Sequence, residues 1–204
     1  MNIGVIDYGL CNMHSIFNAI KFLNHEPCFI NNADEIENYK KILLPGVGSF
    51  QDGMRGLINN NYNEKIIEYI NSEGHFLGIC LGMQMMLSKS YEFGLYDGLG
   101  LVKGNVVKIP SITNEVEHKI PHLGWNRLVI TDNAGVNLAQ NGDYVYFVHS
   151  FMAKCDEEYV QAYTNYNDIN IPAIIKYKNS YGCQFHPEKS GKLGLNILKN
   201  FINL

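Results

Sequence analysis

The sequence predicts an α/β protein with a central, mostly parallel sheet, helices on both faces, and additional antiparallel strands in the second half of the chain. In the first half, short apolar runs alternate with helical stripes, which is the order of β-α-β units. In the second half, strand-like runs follow one another with turn residues between them. The chain has 204 residues, of which 46% are hydrophobic and 18% are charged. We therefore expect residues 1–204 to form a single domain.

The first half of the chain carries the elements of the parallel sheet. An apolar run at 2–6 ends at a turn and predicts a strand, and apolar residues at helical spacing over 12–23 predict a helix. A strand is predicted over 40–46, where Pro-Gly ends the run, and it is followed by a helix over 61–70 and a strand over 75–79. This alternation brings the carboxyl ends of the strands to one edge of the sheet.

The second half of the chain is rich in short strand-like segments. These lie at 104–109, 125–131, 144–151, 158–164, 173–177 and 181–185. A helical pattern returns over 191–202. We find no internal repeat and no linker that would divide the chain.

Composition excludes several classes of function. The net charge is -4 and the lysines are scattered, which argues against a nucleic-acid surface. No apolar run approaches the roughly 20 residues of a membrane span, and the N-terminus does not resemble a signal peptide. Five cysteines without a C-x-x-C pair argue against a disulfide framework and a structural zinc site. We therefore expect a cytoplasmic protein that binds neither nucleic acid nor a membrane.

Cys80 lies between Gly78 and Gly82 at a predicted strand-to-helix turn. A residue on such a turn projects from the carboxyl edge of the sheet, where open α/β folds bind ligands and where α/β enzymes place a nucleophile. Free N–H groups at the start of a helix favour a thiolate. The alternative is a small buried cysteine with glycines for close packing, and the local pattern leaves both interpretations open.

His186 and Glu188 supply a base and a group to orient it. Pro187 favours extended geometry at His186, and residues i and i+2 of an extended stretch point to the same side. Glu188 can then reach one ring nitrogen while the other faces Cys80. Taken alone, the segment is better explained as a surface turn, so its meaning depends on the pairing with Cys80.

Together these motifs resemble those of the class I glutamine amidotransferases. The resemblance rests on PGVGSF at 45–50, GICLGMQ at 78–84 and GCQFHPEKS at 182–190, in this order. A longer set that includes IGVIDYG, PHLGWN and YVYFVHSF resembles the glutaminase subunits of imidazole glycerol phosphate synthase over essentially the whole chain. The resemblance implies a class I glutamine amidotransferase-like (flavodoxin-like) fold, with no cofactor and no metal.

The resemblance further implies hydrolysis of the side-chain amide of L-glutamine. Cys80 would attack the amide carbon and form a γ-glutamyl thioester. His186 would protonate the departing ammonia and then activate water, and Glu188 would orient His186. We expect the oxyanion to be held by the N–H of Leu81 and by a second N–H from PGVG, at Val47 or Gly48, a strand that in this family is thought to need rearrangement.

The glutamine pocket is assigned to residues near these motifs. Gln84 lies at i+4 from Cys80 on the predicted helix and would hold the amino-acid end of the substrate. By resemblance, Gly46 belongs to the same pocket, and so does the segment His149-Ser150-Phe151. For His149, a histidine packed in a strand is an equally good explanation.

The resemblance implies a partner chain, a (β/α)8-barrel cyclase in a heterodimer, which would consume the ammonia to make imidazole glycerol phosphate and AICAR. Residues assigned to that interface or to the ammonia exit are Asn12, Trp125, Tyr144, Tyr146 and Lys189. Core packing for Trp125 and solvation for Lys189 are the alternatives.

Two departures from the family pattern leave the partner open. Cys11 stands where the family usually has glycine, and His14 stands where arginine is common. Paralogues that feed ammonia to amidino-sugar synthesis for surface glycans are therefore a second possibility. A non-catalytic binding module and a stand-alone cysteine hydrolase are alternatives of a different class.

Overall fold

The computed structural model describes residues 1–132 and 138–204. The strands are β1 (Asn2–Ile6), β2 (Glu26–Ile30), β3 (Lys41–Gly46), β4 (His75–Cys80), β5 (Leu87–Ser90), β6 (Tyr96–Asp97), β7 (Val102–Lys108), β8 (Ile112–Thr113), β9 (Val116–Glu117), β10 (His122–Arg127), β11 (Val129–Ile130), β12 (Tyr144–His149), β13 (Phe151–Cys155), β14 (Val160–Tyr166), β15 (Ile169–Tyr177) and β16 (Ser180–Cys183). The α-helices are α1 (Met13–Phe22), α2 (Phe50–Asn59), α3 (Tyr62–Asn71), α4 (Leu81–Met85) and α5 (Gly191–Ile202). Short 3₁₀ helices lie at Ala33–Asn38, Glu157–Tyr159 and Pro187–Lys189.

Eight strands of the described ranges form the central sheet, in the order β2-β1-β3-β4-β16-β15-β14-β11. The pairs from β2 to β16 are parallel, and those from β16 to β11 are antiparallel. The predicted fold class, a mostly parallel sheet extended by antiparallel strands of the second half, is confirmed. The other strands of the described residues form a smaller sheet, β13-β7-β5-β6, and two ribbons, β10 with β12 and β8 with β9.

The strand order places the functional motifs at one edge. The chain runs from β1 to β2 on one side and then returns to β3 on the other side of β1, so the order reverses there. Such reversals open a crevice beyond the carboxyl ends of parallel strands. Gly46 at the end of β3 pairs directly with Cys80 at the end of β4, and Cys183 at the end of β16 pairs with Ile79.

Both faces of the sheet are buried, which explains why its central strands are apolar throughout. On β3, Ile42 and Leu44 pack into the cluster beneath α2 and α3, whereas Leu43 packs into the opposite cluster with α1 and α5. This alternation follows from the two-residue period of a strand. Of the helices in the described residues, none is long and apolar enough to cross a membrane.

The structure differs from the predicted elements at several places. The segment 144–151 is split at Ser150 into β12 and β13, which belong to different sheets, and 125–131 is split at Leu128. Several elements were not predicted, among them β2, an edge strand that contains Pro27, and α2, which contains Gly53 and Gly56. Proline and glycine weaken the local signal, while packing against neighbouring elements stabilises both segments.

The turn between β4 and α4 requires glycine at Gly82. A Cβ atom there would overlap the backbone oxygen of Leu44, so Gly82→Ala must push β3 and α4 apart. We expect the substitution to lower the free energy of unfolding by about 3 kcal/mol or to prevent folding.

The control is Gly142→Ala. A Cβ atom at Gly142 would meet no atom within 4 Å, so only the φ of +87° is strained, at a cost of about 1 kcal/mol. Urea unfolding of both variants measures the difference, and equal losses would contradict the close approach of β3 and α4.

Candidate active site

Cys80 sits at a strained turn between β4 and α4. Its φ of 54° and ψ of -105° are unusual for a residue other than glycine, and it occupies the N-cap position of α4. Such strain is typically stored at functional sites. The helix is only five residues long, shorter than the Met/Gln stretch of the sequence suggests, and the chain continues into β5.

His186 and Glu188 meet as predicted, although the local geometry differs. Nδ1 of His186 lies 2.8 Å from Oε1 of Glu188, and both side chains are buried. Glu188 is in a 3₁₀ turn and not in an extended segment, so this turn folds the carboxylate back onto the ring. The backbone N–H of His186 donates to the oxygen of Tyr146, and Ser190 Oγ donates to the oxygen of His186 at 2.6 Å.

The surroundings of His186 favour its charged form. Burial lowers the pKa of this imidazole, but hydrogen bonds and charge at Cys80 and Glu188 outweigh burial and raise the pKa to about 10. The position of His186 beside a sulfur atom and a carboxylate therefore favours the protonated ring. The structure therefore brings together the three side chains that were predicted to act as nucleophile, base and orienting group.

Gln84 lies behind the nucleophile and is fixed by two hydrogen bonds. Its Nε2 donates to the backbone oxygen of Phe151 at 3.0 Å and to Oε1 of Gln184 at 3.2 Å. Because a backbone carbonyl can only accept, the amide nitrogen of Gln84 must face Phe151. The amide oxygen of Gln84 is then the group left for a ligand.

Of the backbone N–H groups expected to hold the oxyanion, that of Val47 is already paired. Leu81 begins α4 directly after Cys80, as predicted. The N–H of Val47, however, donates to the backbone oxygen of Leu10 at 3.0 Å. In this conformation the N–H of Val47 is paired with the first loop, so its expected role as a donor to the oxyanion would require the rearrangement of this strand. Gly48 follows with a φ of +103°, a conformation that favours glycine.

His149 belongs to a pair of buried histidines. Its Nδ1 bonds the oxygen of Phe151 at 2.8 Å, and its Nε2 bonds Nδ1 of His122 at 3.0 Å. Since the carbonyl can only accept, Nδ1 of His149 carries its proton and Nε2 accepts from His122. His122 is stacked between the rings of Phe147 and Tyr166. Burial lowers the pKa of His122 to about 4 and that of His149 to about 3, so both are neutral at pH 7.

A cavity of 860 Å³ opens at this edge of the sheet. Its wall contains most of the residues predicted for catalysis, the oxyanion and the glutamine pocket: Val47, Gly48, Cys80, Leu81, Gln84, His149, Ser150, Phe151 and His186. Lys189, which is predicted for the interface or the ammonia exit, also lines it. Gly46 does not line it. A Cβ atom at Gly46 would overlap the hydroxyl of Tyr8 and press on Leu81, so this glycine is needed for packing beneath the site.

Glu92 also lines the cavity, and the sequence did not predict it. Its Oε2 accepts the N–H of Phe50, the first residue of α2, at 2.6 Å. Burial raises the pKa of the Glu92 carboxyl, and the bond from Phe50 opposes this rise. A glutamate in a turn resembles a solvated residue, so no local signal distinguishes it.

The other predicted interface residues lie outside the cavity wall. Trp125 is 49% exposed and contacts the ring of Tyr146, while Tyr144, 45% exposed, lies beneath the guanidinium of Arg127. Asn12 is exposed at the N-cap position of α1. These side chains are accessible to a partner.

Comparisons with known proteins agree with this site. A family model described as "Glutamine amidotransferase class-I" matches residues 4–204. A protein of Caldanaerobacter subterraneus subsp. tengcongensis, named imidazole glycerol phosphate synthase subunit HisH, is 47% identical over 98% of this chain and 96% of its own. A protein of the same name from Geobacillus sp. is 40% identical over 99% of this chain and 96% of its own. The structure titled "Structure of PurLQS from Thermotoga maritima" has a TM-score of 0.75 and 20% identity, covering 99% of this chain and 97% of that chain, which supports the fold.

The fold, the site and the family match together define a class I glutamine amidotransferase. Within that class, the chain belongs to the family of the imidazole glycerol phosphate synthase subunit HisH. The resemblance stated from the motifs is confirmed.

The buried histidine pair predicts a pH dependence of stability. The folded-state pKa values of His122 and His149 lie below the value of about 6.5 expected in the unfolded chain. As pH falls below 6.5, the unfolded chain takes up protons that the folded chain does not, until about pH 4. These two groups therefore lower stability over that window, each by up to about 1.4 kcal/mol per pH unit.

His122→Asn, which keeps a donor in place of Nδ1, should make this dependence shallower by about one proton. The exposed His14→Asn is the matched control and should keep the slope of the wild-type protein. Urea unfolding between pH 5 and 7 gives the free energy of unfolding at each pH. Identical slopes of this free energy against pH for the wild-type protein and His122→Asn would contradict the buried neutral pair.

Proposed function

We propose that this protein hydrolyses L-glutamine with a triad of Cys80, His186 and Glu188, and that the ammonia serves imidazole glycerol phosphate synthesis in histidine biosynthesis. One observation carries the proposal. Cys80 and His186 lie together in the wall of a cavity, and the carboxylate of Glu188 lies 2.8 Å from the far nitrogen of His186. Membership of the glutamine amidotransferases gives the class of reaction.

The reaction proceeds in two halves. The Cys80 thiolate attacks the carboxamide carbon, and the tetrahedral intermediate collapses when the His186 imidazolium gives a proton to the leaving nitrogen, so ammonia departs and a γ-glutamyl thioester remains. Neutral His186 then takes a proton from water, which attacks the thioester carbon. Collapse of the second intermediate expels the thiolate and releases glutamate.

We assign the amino-acid end of glutamine to Gln84 and Glu92. Both protons of the Gln84 amide nitrogen are committed, so its oxygen accepts from the substrate. The Glu92 carboxylate carries the charge that an α-ammonium requires. Gln84 and Glu92 both line the cavity, as does Ser150.

We further propose that the oxyanion hole is incomplete until the partner binds. The N–H of Leu81 is one donor, but Val47 is held by the oxygen of Leu10, two residues before the exposed Asn12. Breaking this bond would free the N–H of Val47, and rotation of the Val47–Gly48 peptide, next to the positive φ of Gly48, would redirect the N–H of Gly48. A partner that moves the first loop thereby gains control of hydrolysis.

We propose a (β/α)8-barrel cyclase chain as that partner and the cytosol as the compartment. The relatives are named as a subunit of imidazole glycerol phosphate synthase, which supports a second chain. The exposed rings of Trp125 and Tyr144 offer a contact surface. The five free cysteines fit a reducing compartment.

The first test concerns the nucleophile. A glutamine-like chloroketone should label Cys80, because the reagent is directed to the cavity and His186 activates the sulfur. Burial raises the pKa of the thiols of Cys11 (to about 12), Cys155 (to about 11) and Cys183, which should stay unmodified. Peptide mapping of the labelled protein checks this. Labelling of another cysteine while Cys80 stays unmodified would contradict the proposed triad.

The second test concerns coupling to the cyclase. The free subunit should be a poor glutaminase, and cyclase with its acceptor should raise turnover about 100-fold or more, the worth of one oxyanion donor. Cys80→Ala should abolish glutamine-dependent synthesis but leave synthesis from ammonium salt intact, and Cys28→Ala, outside the cavity, should change neither.

Both reactions are measured on the reconstituted pair at saturating acceptor. Loss of the ammonium-dependent reaction in an assembled Cys80→Ala complex would contradict the division of labour. Stimulation by an amidino-sugar synthase in place of the cyclase would assign the chain to the paralogous pathway.

A further inference from the structure

Gln184 is a fully buried polar side chain beside the nucleophile that the mechanism above does not use. It directly follows β16, whose last residue Cys183 pairs with Ile79, so Gln184 reaches the level of Cys80. Its Nε2 lies 3.9 Å from the sulfur of Cys80. Its backbone N–H donates to the oxygen of Ala173 at 2.9 Å, which fixes the main chain at this point.

The direction of the Gln184 amide follows from its neighbours. The backbone oxygen of Phe151 requires the nitrogen of Gln84 to face it, and that nitrogen has a second proton to donate. Oε1 of Gln184 accepts this second proton at 3.2 Å. The NH₂ group of Gln184 is thereby turned toward Cys80, because the reverse orientation would bring two NH₂ groups together.

We propose that Gln184 is a further catalytic residue, which donates an N–H to the sulfur of Cys80 and stabilises the thiolate, both before attack and when it is expelled from the thioester. This rests on the proposed function of Cys80 as the nucleophile. A buried thiolate has lost its water and needs protein donors to replace it. Gln184 and His186, two residues apart, reach the sulfur from one segment, one as a neutral donor and the other as the acid and base.

Alkylation of Cys80 by 2-chloroacetamide across a range of pH tests the proposal on the free subunit. A hydrogen bond to a charged group is worth a factor of roughly 10 to 100, so Gln184→Met, which lacks the donor, should react about 10-fold or more slowly at pH 6.5. In this variant, the inflection of the alkylation rate plotted against pH should move to higher pH, while the limiting rate at high pH should be that of the wild-type protein. The nearly isosteric Gln184→Glu should shift it further, because a carboxylate repels the thiolate.

The exposed Gln140→Met is the matched control and should titrate like the wild-type protein. A purely structural role of Gln184 would lower the rate at every pH without moving the inflection, and that result would overturn the proposal. If Cys80 of the wild-type protein is not the selectively alkylated thiol, the proposed function fails. If it is and the inflection of the Gln184 variants is unmoved, only the role of Gln184 fails.

A measurement on the unsubstituted side chain covers the case in which the variants do not fold. In protein labelled with ¹⁵N-glutamine, one side-chain amide should shift with the same inflection as alkylation of Cys80. This dependence should vanish in Cys80→Ala. Absence of any glutamine amide that follows the inflection would overturn the proposal.

Discussion

The close contact between the β4–α4 turn and strand β3 is the constraint on which the site depends. A Cβ atom at Gly82 would overlap the oxygen of Leu44, and one at Gly78 would lie 2.6 Å from the backbone of Gly82. Only glycine at both positions lets the chain pass from β4 directly into α4 this close to β3, with Cys80 at its strained φ. Because Gly46 and Cys80 are paired in register, the same contact sets the distance from the nucleophile to the oxyanion strand.

Around this turn, buried polar groups form hydrogen bonds with one another. The backbone oxygen of Phe151 accepts from both Gln84 and His149, and through them it fixes the directions of Gln184 and His122. In a low-dielectric interior such a network is rigid, since breaking one bond leaves an unpaired donor. The walls of the cavity are therefore pre-oriented before a ligand arrives.

Local sequence signals identified the parts of the site that lie within short motifs, but not those that depend on distant contacts. Cys80 and His186 could be paired because their motifs, neither decisive alone, together resemble those of a known family. The carboxylate of Glu92 could not be found, since its position at the cavity depends on a bond from Phe50, the first residue of α2, which is 42 positions away. Likewise the bond from Val47 to Leu10 joins two loops that no local pattern connects. The fold class followed from the order of elements, whereas the breaks at Ser150 and Leu128 depend on which sheet each half joins.

The two parts of the proposed catalytic machinery are held in different ways, and this difference supports the proposal that hydrolysis depends on a partner. The positions of Cys80 and His186 are fixed by strand register, a 3₁₀ turn and buried hydrogen bonds, so the proposed nucleophile and base are already in place in the chain by itself. Val47, the residue after β3, is 40% exposed, and its N–H is held by one hydrogen bond to the first loop. One such bond is worth only about 1 kcal/mol, so a docking chain can shift this equilibrium readily. In the proposed mechanism, binding of a partner would therefore act on the oxyanion donor and leave Cys80 and His186 undisturbed, so that the nucleophile is in place before turnover begins.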